Sequence, residues 1–284
     1  MRCKMVVCVL CLLSTAAVLN GQEPTNDKPI LDCRKLVLDV ATALETKDFE
    51  AISRLSGEEF DEDEAAQMKK DLDEFEKSGR LADITGRLRL FPKVGTIPAW
   101  ADRVDVEIDY LDGNREGEIQ IKFELKNNIW IVRDFDADTG KEMSPEELDE
   151  CTPAISKAPA EGQKTIDAGM PELFKNTLAA MKSKDWNTVR KLFRDARNSS
   201  DNELEQDLQK AQERAGGKFF ELAAQLPDIG PVPAPIAKFE FCMSGILEGK
   251  ETEVDIQFDW RAGETMLDDL DVTHQAMEEE PEEK

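Results

Sequence analysis

Apolar side chains recur at helical spacing near the start of the chain: Leu36, Val40, Ala43 and Leu44 fall on one face of a helix. Lys47 and Asp48 interrupt that face, and Phe49, Ile52 and Leu55 resume it in a second short helix. The stretch DEDEAAQMKKDLDEFEK, residues 61–77, predicts a third helix whose acidic first turn suits the helix dipole. Further on the period changes from 3.6 to two. Val104, Val106 and Ile108 alternate with Asp105, Glu107 and Asp109; Ile119, Ile121, Phe123 and Leu125 alternate with Glu118, Gln120, Lys122 and Glu124. Such alternation predicts antiparallel strands with one buried and one wet face. Residues 111–117 (LDGNREG) supply the turn between them, and a last strand is expected over 129–134.

The same pattern is written twice. FPKVGTIPAW at 91–100 has a counterpart in LPDIGPVPAP at 226–235, and the match continues without a gap. Glu116, Ile121, Phe123, Asp134 and Asp136 meet Glu251, Ile256, Phe258, Asp269 and Asp271, while Val104, Val106 and Ile108 meet Phe239, Phe241 and Met243. Upstream, Leu44, Lys47, Asp48, Phe49 and Ile52 correspond to Met181, Lys184, Asp185, Trp186 and Val189. The chain therefore reads as a duplicated unit of about 110 residues, an ordinary domain size. Helices first and strands after, twice over, predict an α+β fold with helices packed on one face of each sheet. The first repeat spans 28–138, a Pro/Ala/Ser-rich charged linker 139–168, the second repeat 169–274 and an acidic tail 275–284. The Pro/Gly stretches lead into the sheets, with proline deleting a donor and Gly95 or Gly230 permitting a turn.

Composition adds a compartment. Residues 1–21 carry Arg2 and Lys4, an apolar run from Met5 to Leu13, then small residues to Gly21. That is the layout of a signal peptide, too short for the about 20 apolar residues that span a bilayer. Cys8 and Cys11 follow Val7 and Leu10 rather than small residues, which argues against a lipid anchor. A secreted or periplasmic chain is expected. With 61 acidic against 36 basic residues and a net charge of −25, its surface repels phosphate backbones, so nucleic acid is not an expected partner. Past the leader stand Cys33, Cys151 and Cys242, an odd number. Cys33 and Cys151 flank the first repeat, and a disulfide between them would staple its ends.

Catalytic templates are scarce. The chain has no GxGxxG, GxxxxGK(S/T), GxSxG or HExxH motif, and so no expected cofactor. Its one histidine, His274, is placed by the pattern at the exposed end of the second repeat, and its one tyrosine, Tyr110, at a strand end. Asp134, Asp136 and Asp138 in DFDADTGKE suggest a calcium loop. Gly140, however, falls one place late, and Pro145 stands where the loop's final Glu belongs. Cys242 lies on a strand at the phase opposite Phe241 and Met243, which fits a packed or interface thiol better than a reactive one. Trp130, Trp186 and Trp260 occupy core positions; Trp100, beside the Pro/Gly stretch, is the candidate ligand contact.

ETKDFEAISRL (45–55) after a first helix, and NNIWIVRDFD (127–136) closing the strands, resemble the cystatin-like roll of the nuclear-transport-factor-2-like (SnoaL-like) superfamily. The second repeat departs from that pattern, with Thr265 where the first has Trp130. The resemblance implies two tandem cystatin-like rolls able to pair with each other. Enzymes of that superfamily use His/Asp or Tyr/Asp pairs in the pocket between helix and sheet. Here His274 and Tyr110 have no counterpart in the other repeat, and the carboxylates alternate outward, where burial is not expected to tune them. The expected function is that of an exported, non-catalytic binding or interaction protein whose partner is a protein or a small apolar ligand. The alternative is a carboxylate-dependent hydrolase, dehydratase or isomerase acting in the helix/sheet pocket.

Overall fold

The computed structural model describes residues 28–112, 115–142, 144, 165–166, 170–233, 236–259 and 266–276. The leader at 1–21, most of the linker, Cys151 and most of the acidic tail lie outside these residues. The fold is mixed α+β. Four helices precede the first three strands: α1 (Cys33–Thr46), α2 (Phe49–Ser56), α3 (Glu62–Lys77), α4 (Arg80–Leu88), then β1 (Ala101–Asp112), β2 (Arg115–Lys126) and β3 (Ile129–Glu142). After a short β4 (Thr165–Ile166) the order recurs: α5 (Met170–Ser183), α6 (Trp186–Leu192), α7 (Asp201–Arg214), α8 (Phe219–Ala223), β5 (Val232–Pro233), β6 (Ile236–Leu247), β7 (Lys250–Asp259) and β8 (Met266–Ala276). β3 and β8 run past the boundaries read at 138 and 274. α4 and α8 complete the two helical layers.

Local chemistry explains the breaks. Lys47 and Lys184 adopt left-handed backbone (φ 52° and 57°) at the ends of α1 and α5. The following Asp48 and Asp185 cap α2 and α6, their carboxylates accepting from the Ala51 and Thr188 N–H groups. The Lys-Asp-aromatic triplet is thus a helix stop joined to a helix start. α3 and α7 each open on a reciprocal capping box, Asp61 with Glu64 and Ser200 with Glu203.

The two meanders do not form separate sheets, and the short β4 and β5 pair only with each other. One six-stranded antiparallel sheet runs β3-β2-β1-β6-β7-β8, joined at its centre where β1 pairs with β6. Val106 stands directly opposite Phe241, its own counterpart in the aligned repeat, and the register spreads symmetrically on both sides: Val104 with Met243, Ile108 with Phe239. A strand that pairs with its counterpart about an equivalent position obeys the self-complementary rule of a two-fold interface. Four skipped residues obey it too, although the irregularity between Glu116 and Glu118 in the β2–β3 ladder has no counterpart in β7–β8. The β1–β6 ladder skips Asp102 on one strand and Ala237 on the other, and the outer ladders skip Arg133 in β3 and Asp268 in β8.

The twin Pro/Gly stretches meet on the same axis. Val94 and Ile229 form an antiparallel bridge; the Gly95 N–H donates to the Asp228 carbonyl and the Gly230 N–H to the Lys93 carbonyl, each at 2.8 Å. Backbone approaches so closely that a Cβ on Gly95 would lie 3.1 Å from the Asp228 nitrogen. The sequence reading placed these stretches as lead-ins to the sheets; the structure makes them a second seam between the halves.

Helices cover one face of the sheet. Val106, Ile108, Ile121, Phe123, Phe239 and Phe241 point into a single apolar cluster with α1, α4, α5 and α8, so the halves share one core. Each such side chain contributes about 1.5–3 kcal/mol by leaving water. The other face carries Asp105, Glu107, Gln120, Lys122, Glu240 and Asp255, half-buried between neighbouring strands. No helix among the described residues is long and apolar enough to cross a membrane.

Gly245 sits at the central bulge, where a Cβ would stand 2.2 Å from the Trp100 carbonyl oxygen. Gly86, inside α4, would place a Cβ in open space. In urea unfolding, Gly245→Ala is expected to cost at least about 2 kcal/mol, because backbone must move. Gly86→Ala should add about 0.5–1 kcal/mol by removing chain entropy from the unfolded state. Equal effects at the two positions would refute this placement of the bulge.

Candidate functional site

The helical layer of the first half does not close on its edge strand. Val40 and Leu44 of α1 and Ile52 and Leu55 of α2, each pair one turn apart, converge with Phe60 and Met68 on Val132 and Phe135 of β3, leaving a cavity of about 70 Å³. Its few polar groups are Ser56, Arg133 and Asp134, and each has a partner. The Ser56 hydroxyl donates to the Ser53 carbonyl (3.0 Å); Arg133 lies 3.6 Å from Glu124, and Asp134 lies 3.5 Å from Lys122. An apolar hollow of this kind holds water poorly and apolar matter well.

The second half treats the same place differently. Aligned on the repeat, Met181, Val189, Leu192 and Leu267 stand for Leu44, Ile52, Leu55 and Val132, but Phe193 stands for Ser56 and Asp268 for Arg133. α2 continues through Ser56 and ends on Gly57 in left-handed backbone (φ 67°). α6 stops at Leu192, and Phe193 turns extended (φ −117°, ψ 120°). There it bridges Leu267 of β8 in parallel, the Arg194 N–H donates to the Leu267 carbonyl (2.7 Å), and Phe193 packs against the core. The Arg194 guanidinium holds the segment down through Asp259 (2.8 Å) and Asp268 (3.3 Å). One half thus closes with an aromatic plug and an ionic latch; the other keeps serine and a cation there.

The residues singled out from the sequence do not gather at this pocket, apart from Asp134 at its rim. Trp100, expected near the surface as a ligand contact, is 8% exposed, and its indole N–H donates to Gln225 Oε1 of the other half (2.8 Å). It ties the halves together. Asp134 and Asp136 lie on the polar face of β3; the Asp138 side chain is outside the described residues, and among the described residues no three His, Cys, Asp or Glu side chains are placed so that they could hold a metal ion together. Cys33 is a buried free thiol at the start of α1 whose pKa burial pushes up to about 12. Its expected partner Cys151 is outside the described residues.

His274 is 3% exposed rather than peripheral. Its Nδ1 and the Thr252 hydroxyl are 2.8 Å apart, and burial, then Lys250 and Lys218, hold its pKa below the ordinary value. β8 runs on to Ala276, past the end read for the repeat, so His274 lies within the strand rather than beyond it. Tyr110 is 2% exposed, with the Arg87 guanidinium carbon 3.5 Å from its ring centroid. Neither reaches the pocket lining.

The outward carboxylates also depart from expectation. Neighbouring strands half-bury Asp105, and desolvation raises the pKa values of Asp105 and of the more exposed Glu253. Asp255 goes furthest. Burial, then the carboxylates of Glu240, Asp269, Glu253 and Asp271, push it from 3.8 up to about 7, and its buried Oδ1 has no hydrogen-bond partner among the described residues. The repeat explains the asymmetry: Asp255 and Gln257 stand where the first half has Gln120 and Lys122, so an acid is gained and a cation lost. Beside it, burial and then the carboxylates of Glu253, Asp255, Asp105 and Glu240 raise the pKa of Cys242, keeping its thiol protonated.

Periodicity alone misses the pocket, because its lining reads as ordinary core. The signal available was the pair of mismatches Ser56/Phe193 and Arg133/Asp268 within an otherwise apolar-for-apolar alignment. Comparison with protein-family models, curated proteins and solved structures returns no match.

Because the folded-state pKa of Asp255 lies above its unfolded value, its stability contribution is complete below about pH 4 and lost as pH rises through about 7. Asp255→Asn is therefore expected to raise the melting temperature at about pH 8.5 and to leave it unchanged near pH 4, as followed by circular dichroism. A gain that did not depend on pH would contradict this assignment.

Proposed function

We propose that this chain is an exported, non-catalytic binding protein, built from two copies of one cystatin-like α+β roll fused through a shared sheet, which captures an apolar group in the pocket of its first half. Matching element order, helix stops and bulges in the two halves support the duplicated-roll reading, and the residues 1–21 support export. The observation that carries the binding reading is the contrast between equivalent positions: Phe193 and its Arg194 latch cover this place in the second half, whereas Ser56 leaves it open in the first. A duplicated core whose hollow is plugged in one copy and kept in the other has been specialised, since an open apolar cavity forfeits packing contacts and stability. Binding without chemistry follows from the lining, where apolar walls meet three polar groups already engaged in local pairs.

The test is direct. 4-Fluorobenzyl alcohol followed by ¹⁹F NMR is expected to show saturable broadening with the wild-type protein. Ser56→Phe, which writes the second half's plug into the first, should abolish it while leaving the far-ultraviolet circular dichroism intact. Persistence of binding in Ser56→Phe, or its absence from the wild type, would overturn the reading.

A further inference from the structure

On the polar side of the sheet the two outermost strand pairs are built differently. Asp105 of β1 stands opposite Cys242 of β6, Cys242 opposite Asp255 of β7, and Asp255 opposite Asp271 of β8. In the first half the counterpart of the Asp255 and Asp271 pair is Gln120 opposite Asp136, an amide facing an acid. The neighbouring pair differs too. Lys122 lies 3.5 Å from Asp134, whereas Gln257 stands opposite Asp269 and gives its amide to Asp268 (2.7 Å). Like charges directly opposite one another on paired strands push those strands apart. Facing Asp255 are Glu240 and Cys242 of β6, Glu253 of its own strand, Asp269 and Asp271 of β8 and, one strand further, Asp105 of β1. The cations of this network are engaged by other acids: Lys238 by Glu107 and Glu240 (2.7 Å each), and Arg214 of α7 by Asp271 (3.0 Å). Asp255 Oδ1 is left buried without a hydrogen-bond partner among the described residues.

β8 is also the strand that holds the plug. The Leu267 carbonyl takes the Arg194 N–H (2.7 Å), and Asp268 takes the Arg194 guanidinium (3.3 Å). As an edge of the sheet, β8 is laddered to β7 alone. We infer that the β7–β8 pair is a pH-sensitive clasp: a proton on Asp255 keeps β8 seated, and its loss loosens β8 and with it the Phe193 plug, while the β2–β3 pair of the first half lacks this response. Burial and the surrounding acids, which push the pKa of Asp255 from 3.8 up to about 7, set the direction and the window. The folded form prefers the proton, so the clasp is firmest in acid and weakens as pH rises from about 4 to 7. An edge strand relieves such repulsion by opening locally, ahead of the rest of the chain.

Amide hydrogen exchange of the full chain, read residue by residue by NMR at pH 5 and pH 8 and divided by the intrinsic rate at each pH, tests the clasp. Protection of the β8 amides and of the Arg194 N–H should fall by about tenfold or more over this interval, and that of the β3 amides by clearly less. Asp255→Asn, with its melting temperature measured to establish folding, should remove the excess fall at β8 and at Arg194. The double variant Gln120→Asp with Lys122→Gln, which writes the second half's residues into the first, should confer the fall on β3. Parallel behaviour of β3 and β8, an excess at β8 that survives Asp255→Asn, or a loosened β8 that leaves Arg194 protected overturns the inference.

Discussion

The pairing of β1 with β6 is the constraint on which the remaining architecture depends. Each half brings three strands and a layer of helices, and a three-stranded meander would leave β1 as an unpaired edge with a truncated core beneath it. Setting Val106 opposite Phe241 removes both edges at once and makes two apolar faces continuous. Every hydrogen bond added on one side of that seam has a counterpart on the other, so the contact is saturated symmetrically. The Gly95 and Gly230 bonds repeat the arrangement at the Pro/Gly stretches, and Trp100, reaching Gln225, fastens the seam at its flank. Splitting the chain at its linker would expose the β1 and β6 edges to water.

Symmetry in the frame makes the departures from it informative. Residues that set the frame, such as Lys47 and Lys184, or Asp48 and Asp185, are the same on both sides because each performs one backbone task. Two sets of differing residues change the local physics. On the sheet's polar face, Gln120 and Lys122 give way to Asp255 and Gln257, and a carboxylate is left half-buried among other carboxylates at a cost in stability. At the sheet's edges, Ser56 and Arg133 give way to Phe193 and Asp268, and an open hollow becomes a plugged one. A cavity and a strained acid both oppose folding; the cavity sits only in the first half and the acid only in the second. Neither arises from the shared frame.

Much of the frame was legible in the residues themselves. The helix stop at Lys47, the capping aspartates and the strict alternation of β1 and β2 are local properties, set by backbone preference and by a period of two or 3.6 that any reader can count. The Trp100 and His274 readings failed for a shared reason: their surroundings come from segments distant in sequence, Gln225 in one case and Thr252 in the other, and burial is decided by what arrives from elsewhere. The outward carboxylates failed similarly, because alternation gives a side chain's direction but not the crowding imposed by strands on both sides.

The sequence by itself determined the helix-then-strand order, the repetition of that order, and which face of each strand is oily, since these follow from near-neighbour chemistry. Only the tertiary structure decided that the two meanders form one sheet, that the Pro/Gly stretches cross as a seam, and that Ser56 opens onto a hollow while Phe193 covers its twin. Those outcomes depend on contacts between residues far apart along the chain, where pairing partner, register and residual space are fixed by the whole assembly of elements rather than by any one of them.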